Sequence, residues 1–430
     1  MTADILDRFR KRVFLAWRGR CSPSLRSQLH VQSSHQWRSS LLIAMSGVCG
    51  WVGWSGEVLL LPVAMVFPSL WATSGSRTVA ALVSAGYFLA ASRGLPQGVA
   101  NFYAADLWPG LLLWAAASLS FAGVHAVFWE GHMEGLPSEK KGRPGISRAA
   151  RYLTVVTLMG LPPFGITGWA HPLTAAGVLF PGWGWWGLGA AAAGLAMMTS
   201  RYWPITAIAL VGLWLSSAAT WTQPPPPEGW KGINFAHGQD LGRDGSLNHH
   251  RDLIATVRAA AGAGTRFVVL PESALGFWTP TVAKLWQQSL RGSDLVVIAG
   301  AAAVDAGGYD NVMVVISPDG THVLYRERMP VPVSMWQPWR GWTGRGGGAR
   351  AHFFNNPAVE IGGNRIAPLV CYEQLILWPV LQSMLHSPDV VVATGNGWWT
   401  AGTSIVAIQQ ASAAAWARLF DVPLVNAFNI

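Results

Sequence analysis

The sequence predicts a multi-span α-helical membrane domain followed by an α/β domain, and three observations lead to this fold class. Apolar runs occupy most of residues 39–221. Four consecutive prolines at 224–227 then form a stiff spacer between two parts of different composition. Beyond the prolines, strand-like and helix-like stretches alternate, which is typical of helices layered on a β-sheet.

The overall composition argues against an ordinary soluble protein. Hydrophobic residues make up 51% of the 430 residues and charged residues 12%, whereas soluble domains average about 25% charged residues. The 25 tryptophans agree with this conclusion, because tryptophan is enriched where a bilayer meets water.

The apolar runs predict about seven transmembrane helices, since a helix needs about 20 residues to cross a bilayer. The first run is long enough for two short helices with a turn near Glu57, and Pro162-Pro163 predicts a broken helix in the fourth run. A soluble helical bundle is disfavoured because the runs lack polar faces. The runs are 39–73, 78–92, 108–128, 152–170, 183–200 and 203–221.

Basic residues predict the orientation in the membrane. Eight of the 30 Lys and Arg residues precede residue 40, and the positive-inside rule therefore places this tail in the cytoplasm. An odd number of spans then puts the C-terminal domain in the periplasm, so we expect a multi-pass inner-membrane protein with the phospholipid bilayer as a partner. No nucleic-acid-binding motif accompanies the basic tail, so no direct nucleic-acid binding is expected.

The predicted domain organisation has four parts. These are a basic tail 1–38, a transmembrane domain 39–221, a Pro-rich linker 222–230 and an α/β domain 231–430. The predicted strands of the α/β domain are 232–236, 266–270, 295–301, 311–317, 322–326, 365–370, 390–394 and 422–428. Its predicted helices are 248–263, 279–291, 373–386 and 402–419.

The cysteines indicate neither a disulfide framework nor a metal site. There are three of them, Cys21, Cys49 and Cys371, and an odd number spread so widely is not typical of disulfide pairing. No metal-ligand spacing of the usual kinds occurs, so we expect no metal and no other cofactor.

Two predicted strands end in residues suited to nucleophilic catalysis. Glu272 follows strand 266–270, and Cys371 follows strand 365–370 just before a predicted helix. Ligands of open α/β sheets bind at such strand ends, and a helix N-terminus favours a thiolate. Each residue also has a plainer interpretation, with Glu272 as a helix cap and Cys371 as a small buried core residue.

Charged residues crowd the end of the predicted hairpin that turns at 318–320. Arg326 and Arg328 each offer a positive charge for an oxyanion, although charges at this place also protect an edge strand from pairing. A thiol, a carboxylate that takes its proton and a cationic donor together would make a nucleophilic site.

This order of carboxylate, cation and thiol resembles the nitrilase (carbon–nitrogen hydrolase) superfamily, whose catalytic set is Glu, Lys and Cys. The resemblance covers residues 231–429. It implies an αββα sandwich in which Glu272 is the general base and Cys371 the nucleophile. Cys371-Tyr372-Glu373 and the multi-span N-terminal half are similar to apolipoprotein N-acyltransferase. That similarity implies supporting or substrate-binding roles for Tyr372, Glu373, Asn396, Trp398 and Trp399.

The segments 271–276, 326–336 and 395–400 also resemble a family of conjugal-transfer proteins encoded on Agrobacterium and Rhizobium plasmids. This resemblance implies a membrane component of plasmid conjugation. It also implies a substrate in the transfer apparatus, such as a membrane-anchored peptide, a pilin or a lipoprotein.

The sequence departs from the superfamily pattern in three places. Glu327 stands where the catalytic lysine is expected, which leaves Arg326 or Arg328 as the cation, and arginine cannot shuttle a proton. A second glutamate of the acyltransferases falls at about Met335. The chain stops at Ile430, just past the last predicted strand, so we expect a nitrilase-type domain truncated at its C-terminus.

Three functions are consistent with these residues. The first is an enzyme in which Cys371 attacks an amide or ester carbonyl, Glu272 takes the thiol proton, and Arg328 or Arg326 stabilises the oxyanion. The second is a non-catalytic membrane component of the conjugation apparatus that keeps a nitrilase scaffold. The third is an apolipoprotein N-acyltransferase.

Overall fold

The computed structural model describes residues 23–130 and 147–430, apart from residues 244, 263 and 345, with side chains from residue 36 onward. Most of the predicted cytoplasmic tail and most of the charged stretch before Arg148 therefore lie outside the described residues.

The first half of the described chain is helical, and its helices follow the apolar runs of the sequence. The helices are α1 (Pro23–Gly53), α2 (Phe67–Ala72), α3 (Arg77–Ala91), α4 (Leu95–Tyr103), α5 (Leu107–Phe128), α6 (Arg148–Gly160), α7 (Ala176–Leu179), α8 (Gly184–Met198) and α9 (Trp203–Ala219). Short 3-10 segments at Val58–Val66, Phe164–Ile166 and Pro172–Ala175 separate some of them. The chain turns between Gly53 and Val58 and breaks after Gly160, in agreement with the predicted turn near Glu57 and the predicted break at Pro162-Pro163.

The prediction of about seven spans is not confirmed by helix length. Of the described helices, α5 alone is long and apolar enough to cross a bilayer. The bent pair α3 and α4, with 49° between its two parts, would count as a second span if taken together. Pro62 lies within the 3-10 segment Val58–Val66, where a proline cannot donate the backbone hydrogen bond of a regular α-helix.

The second half forms two β-sheets with helices on their outer faces. The strands are β1 (Trp230–Gly232), β2 (Phe267–Val269), β3 (Val296–Asp305), β4 (Gly308–Ile316), β5 (Thr321–Arg326), β6 (Val359–Ile361), β7 (Asn364–Val370), β8 (Val390–Asn396) and β9 (Leu424–Asn429). The first sheet has the order β1-β2-β3-β4-β5 and the second the order β6-β7-β8-β9. The helices are α10 (Leu247–Ala260), α11 (Pro280–Ser289), α12 (Leu377–Met384) and α13 (Ile405–Phe420).

The two sheets pack face to face, as the predicted αββα sandwich requires. One core joins residues such as Val269 and Met313 of the first sheet to Val370 and Val392 of the second. Alternate residues of the first sheet, such as Val268, pack instead on α10 and α11, because successive side chains of a strand point to opposite faces. The nitrilase-type fold of the C-terminal half is therefore confirmed.

The helices of the two halves share a continuous core. Trp416 of α13 and Leu369 of β7 belong to the same buried cluster as Val178 of α7 and Leu195 of α8. At the closest approach, a Cβ atom on Gly177 would lie 1.7 Å from the carbonyl oxygen of Ala415, so glycine is required there. Thus α13 packs on the second sheet with one face and on the N-terminal helices with another.

Each predicted strand has a counterpart, and the differences are local. The first strand lies earlier than predicted, at Trp230–Gly232, and β6 was missed. The helix predicted from residue 373 is a 3-10 turn at Cys371–Leu375 followed by α12 from Leu377. The positions of the predicted domain boundaries stay a prediction.

Candidate active site

Glu272 lies in the turn after β2, pressed against β3. A Cβ atom on Gly300 of β3 would lie 2.5 Å from the Cα atom of Glu272, so only glycine lets the turn approach this closely. Ser273 has a φ of 60°, in the left-handed region that few residues other than glycine adopt. The backbone therefore holds the carboxylate in one position, as a site on a rigid scaffold requires.

Three donors surround the Glu272 carboxylate. The Asn311 amide donates to Oε1 over 2.7 Å. The Asn396 backbone N–H donates to Oε2 over 3.0 Å, and the Cys371 thiol is within hydrogen-bonding reach. Burial raises the pKa of Glu272, and these hydrogen bonds oppose that effect by stabilising the charged form.

Cys371 follows β7 directly and has a φ of 45°. A non-glycine residue with a positive φ at a strand end is strained, and such strain is commonly found at functional sites. The side chain is 4% exposed and its sulfur accepts a hydrogen bond from the Gln409 amide over 3.6 Å. The thiol therefore meets α13 on one side and Glu272 on the other.

The Cys371 sulfur is held as a thiol rather than a thiolate. Burial raises the pKa of Cys371 well above its usual value, and the neighbouring Glu272 carboxylate raises it further. The expectation of a thiolate stabilised by a following helix was wrong, because a five-residue 3-10 turn follows the sulfur and α12 begins only at Leu377. A thiol of raised pKa needs a base to take its proton before it can act as a nucleophile, and the Glu272 carboxylate is the adjacent candidate.

Glu327, the residue at the expected position of lysine, is fully buried beside the other two groups. Its Oε2 accepts from the Asn311 amide over 2.8 Å, so one nitrogen bridges the carboxylates of Glu272 and Glu327. Among the described residues, its Oε1 has no hydrogen-bond partner. Burial raises the pKa of Glu327 well above its usual value, followed by the charges of Glu272 and Glu373.

The structure does not bring Arg328 to the sulfur, in contrast to the sequence-based expectation. Its guanidinium is fully buried and is held by other partners. It donates to the carbonyls of Pro368 and Pro379 and to the side chains of Tyr325, Gln382 and Ser383. These contacts point the side chain toward α12, where it fixes the helix against β7.

Arg326 does not reach the sulfur either. Its guanidinium forms an ion pair with Asp310 on the neighbouring strand β4. Arg350 and His352 bind the same carboxylate. The prediction of a guanidinium beside Cys371 is therefore wrong for both arginines, because three successive residues send their side chains in different directions.

Glu373 supports the backbone instead of facing the substrate. Its Oε1 accepts from the Tyr325 hydroxyl over 2.6 Å and from the Arg328 N–H over 2.7 Å. Its Oε2 accepts from the Val370 N–H over 2.8 Å. The carboxylate thus ties the end of β5 to the end of β7, directly below Cys371.

A cavity of about 320 Å³ opens onto Cys371 and Glu272. Helices α4 and α5 form much of its wall, through apolar residues such as Val99, Phe102 and Leu113, and α3 contributes Ala91. Asn396, Trp398, Trp399 and Tyr372 line it too, so four of the five residues predicted to support substrate binding lie at the cavity. The thiol and the carboxylate therefore meet an apolar space bounded by both halves of the protein.

The loop after β8 is anchored to α4. The Asn101 amide donates to the carbonyls of Trp399 and Ala401 over 3.0 and 3.1 Å. Phe102 stacks on Trp398 with 5.7 Å between ring centroids. A Cβ atom on Gly98 would lie 2.6 Å from the Trp399 ring, so glycine permits this contact.

Sequence reasoning missed two residues of the site. Asn311 bridges the two carboxylates from β4, and Gln409 reaches the sulfur from α13. Each is a buried polar residue of a mostly apolar element, but β4 also contains Asp310 and α13 also contains Gln410, so the pattern alone did not single them out. No group of three His, Cys, Asp or Glu residues within the described ranges is arranged to hold a metal ion.

The two packed sheets, with a glutamate and a cysteine at adjacent strand ends, define a nitrilase-type protein. The chain belongs to the Carbon-nitrogen hydrolase family, whose sequence model matches residues 89–418. It is 68% identical over 430 residues to the "Conjugal transfer protein TraB" of Agrobacterium fabrum (strain C58 / ATCC 33970), covering 100% of both chains.

A further relative and a solved structure are also similar to the chain. The chain is 61% identical over 389 residues to the "Probable conjugal transfer protein TraB" of Sinorhizobium fredii (strain NBRC 101917 / NGR234), covering 90% of this chain and 97% of that protein. The carbon-nitrogen hydrolase of Helicobacter pylori G27 is 13% identical, with a TM-score of 0.35 over 47% of this chain and 72% of that one.

Proposed function

We propose that the protein is a membrane-bound cysteine enzyme of plasmid conjugation that transfers an acyl group from a membrane-associated amide or ester. The observation that carries this proposal is the pairing of Cys371 and Glu272 at the wall of an apolar cavity bounded by α3, α4 and α5. Sites for largely apolar ligands usually have this form, with a few polar groups converging in an apolar space.

The proposed reaction has two half-reactions. Glu272 takes the proton of the Cys371 thiol while the sulfur forms a bond to the substrate's carbonyl carbon. The C–N or C–O bond then breaks, the leaving amine or alcohol receives the proton from Glu272, and a thioester remains on Cys371. In the second half-reaction, water or an amine gives a proton to Glu272 and attacks the thioester, and the thiol is regenerated.

The exposed surface of the helices supports a location in a bilayer. Large apolar side chains point outward along α5 and α9, where a soluble protein would carry polar residues. They include Leu107, Trp108, Leu112, Leu119 and Val127 on α5 and Ile205, Ile208 and Leu215 on α9. Burying this surface in hydrocarbon removes it from water. We place the protein in the inner membrane with its basic N-terminus in the cytoplasm and Cys371 on the periplasmic side.

The substrate class follows from the cavity and from the relatives. An acyl chain or another apolar group fits the space between α4, α5 and Cys371. Two relatives that match along most of this chain are named as conjugal transfer proteins. We therefore propose that the substrate is a membrane-anchored peptide, a pilin or a lipoprotein of the transfer apparatus, with a phospholipid as an alternative acyl source.

A second candidate function is a non-catalytic scaffold for the conjugation apparatus. The observation that favours it is the chemistry around the sulfur. Among the described residues, the hydrogen-bond partners of Cys371, Glu272 and Glu327 include no lysine or arginine. A thiol between two carboxylates is a poorer nucleophile than one beside a cation.

Plasmid transfer by single variants distinguishes the two candidates. A transfer-proficient plasmid would carry Cys371→Ala, Glu272→Gln or the control Cys49→Ala, which removes a buried thiol from α1 instead. If the protein is an enzyme, C371A and E272Q should abolish plasmid transfer at normal protein level, while C49A should support normal transfer. Normal transfer by both C371A and E272Q would exclude the enzyme and leave the scaffold.

A further inference from the structure

Glu327 is an ionisable residue of the site that has no role in the proposed reaction as written above. It is fully buried, directly follows β5, and shares the Asn311 amide nitrogen with Glu272. Two hydrogen bonds from the Asn311 nitrogen therefore connect Oε1 of Glu272 with Oε2 of Glu327. The Glu327 carboxyl group also lies within electrostatic range of the Cys371 thiol.

The hydrogen bonding of Glu327 fits a neutral acid better than an anion. A buried carboxylate needs several donors or a cation to offset its lost hydration. Glu327 receives one hydrogen bond from a side chain, at Oε2, and its Oε1 has no partner. Glu272 receives donors at both of its oxygens. Of the two carboxyl groups, Glu327 is thus the one that keeps a proton, and the O–H of that proton is free to donate.

The ionisable groups around Glu327 also favour its neutral form. The groups that interact with it are Glu272 after β2, Tyr309 in β4, and Cys371 and Glu373 after β7. All four are acids, so each of them when ionised disfavours a second negative charge at Glu327. On the neighbouring residues, Arg326, Arg350 and His352 contact the Asp310 carboxylate, and Arg350 also pairs with Asp305.

We propose that Glu327 acts as a neutral carboxylic acid whose O–H donates a hydrogen bond to the oxyanion formed when Cys371 attacks a carbonyl. This inference rests on the proposed function, and it assigns the hydrogen-bond donor that the oxyanion of that reaction requires. A carboxylic acid held neutral in an apolar site is a known solution for oxyanion stabilisation in other enzymes. Attack by sulfur converts the carbonyl oxygen to an anion, the Glu327 proton stays on Glu327 and stabilises it, and Glu272 carries the proton of the thiol.

Substitution of Glu327 by glutamine tests this role, because glutamine has the same shape. Its carbonyl oxygen can accept from Asn311, and its NH₂ then lies at the place of the unpartnered Oε1, where it can donate. Glu327→Ala removes the donor. Glu360→Gln provides the matched control, since Glu360 is an exposed carboxylate of β6 outside the site.

The experiment measures acylation of Cys371 by p-nitrophenyl esters of fatty acids, using the full chain in detergent and mass spectrometry of the adduct. We expect E327Q to retain acylation within about tenfold and E327A to lose about 10²–10³-fold, the usual effect of removing one oxyanion donor. The wild type and E360Q should lose rate at alkaline pH as Glu327 ionises, whereas E327Q should not. Equal rates for E327A and wild type, or equal pH profiles for E327Q and wild type, would overturn the inference.

Infrared spectroscopy of the same protein provides a readout that does not depend on turnover. A neutral Glu327 contributes the carbonyl stretch of a protonated carboxylic acid at neutral pH, and this band should disappear in E327Q but remain in E360Q. Absence of the band in the wild type contradicts the inference whatever the activity. Failure of the wild type to form any adduct at Cys371, with C371A as reference, would instead reject the proposed function and with it the oxyanion role.

Discussion

Two buried polar clusters lie side by side beneath Cys371, and they differ in how fully their polar atoms are paired. In the Arg328 cluster, made of Tyr325, Arg328 and Glu373, every guanidinium nitrogen donates and both carboxylate oxygens accept. In the Glu272 cluster, made of Glu272, Asn311 and Glu327, one carboxyl oxygen has no partner. A saturated network stabilises a fold, whereas an incompletely paired one is where we expect chemistry.

This comparison corrects the sequence-based view of the arginines. Arg328 is close in sequence to the site and has the chemistry of an oxyanion donor, yet its hydrogen bonds are committed to Pro368, Pro379 and their neighbours. Its contribution is structural. Variants of the two clusters test whether the Arg328 cluster serves stability and the Glu272 cluster serves chemistry.

Arg328→Met should destabilise the protein most. The substitution leaves the buried Glu373 without its cation and several carbonyls without a donor, which typically costs about 3–5 kcal/mol. Arg326→Met is the matched control, because Arg326 is partly exposed in its pair with Asp310, and such pairs contribute about 0–1 kcal/mol. Denaturation of the purified full chain in detergent measures the stability loss of each variant. Equal losses would show that the two arginines contribute equally to stability.

Glu272→Gln and Glu373→Gln should have opposite consequences. E272Q removes the base and should lower Cys371 acylation by about 10²–10⁴-fold, with a loss of stability of about 1–2 kcal/mol. E373Q should instead cost about 3–5 kcal/mol of stability, because it breaks a buried charge pair. Acylation rates and denaturation curves of the two variants test this. Loss of acylation by folded E373Q equal to that of E272Q would assign both carboxylates to catalysis.

The stability of the protein should fall as pH rises from the acidic range. Burial raises the pKa of Glu327, so its protonated form contributes stability that is fully present below the usual glutamate pKa. That stabilisation is lost as pH rises through the raised pKa, at up to about 1.4 kcal/mol per pH unit for one group. Denaturation at several pH values should show a flatter dependence for E327Q than for the wild type or E360Q. An unchanged slope in E327Q would show that Glu327 is already ionised.

Gly98→Ala should have the smallest effect and should depend on the acyl chain. The added methyl would lie 2.6 Å from the Trp399 ring and push it into the cavity. We expect acylation by long-chain esters to fall by about tenfold relative to short-chain ones, the usual scale of a methylene in a pocket. Gly123→Ala is the control, since a Cβ atom there meets nothing within 4 Å. If the acylation rate depends on acyl chain length equally in the wild type, G98A and G123A, then α4 does not contact the acyl chain.

The strand ends were predictable from sequence because buried strands have a clear pattern, and this placed Glu272 and Cys371 correctly. The direction of charged side chains was not predictable. Arg326, Glu327 and Arg328 are consecutive, yet they bind Asp310, Asn311 and the carbonyls near α12, respectively. These directions depend on residues of β4 and α12 that are distant in sequence, so the local segment does not determine them.

The helical half shows a different limit. Hydropathy located the apolar runs, but it did not predict that α4 would separate from α3 after Gly94 or that Asn101 would bind the loop of Trp399. Those features arise from contacts between the two halves. Hydropathy therefore predicted where the apolar helices lie, but it did not predict the contacts between the two halves.

The shared packing of α13 has a practical consequence for biochemistry. A fragment that begins after the prolines would expose the side of α13 that meets Gly177 and Val178, including Ala415 and Trp416. Gln409, which touches the Cys371 sulfur, belongs to that same helix. Expression of the C-terminal half alone should consequently give aggregation and a disturbed nucleophile, so purification strategies should keep the chain whole and supply a detergent or lipid nanodisc.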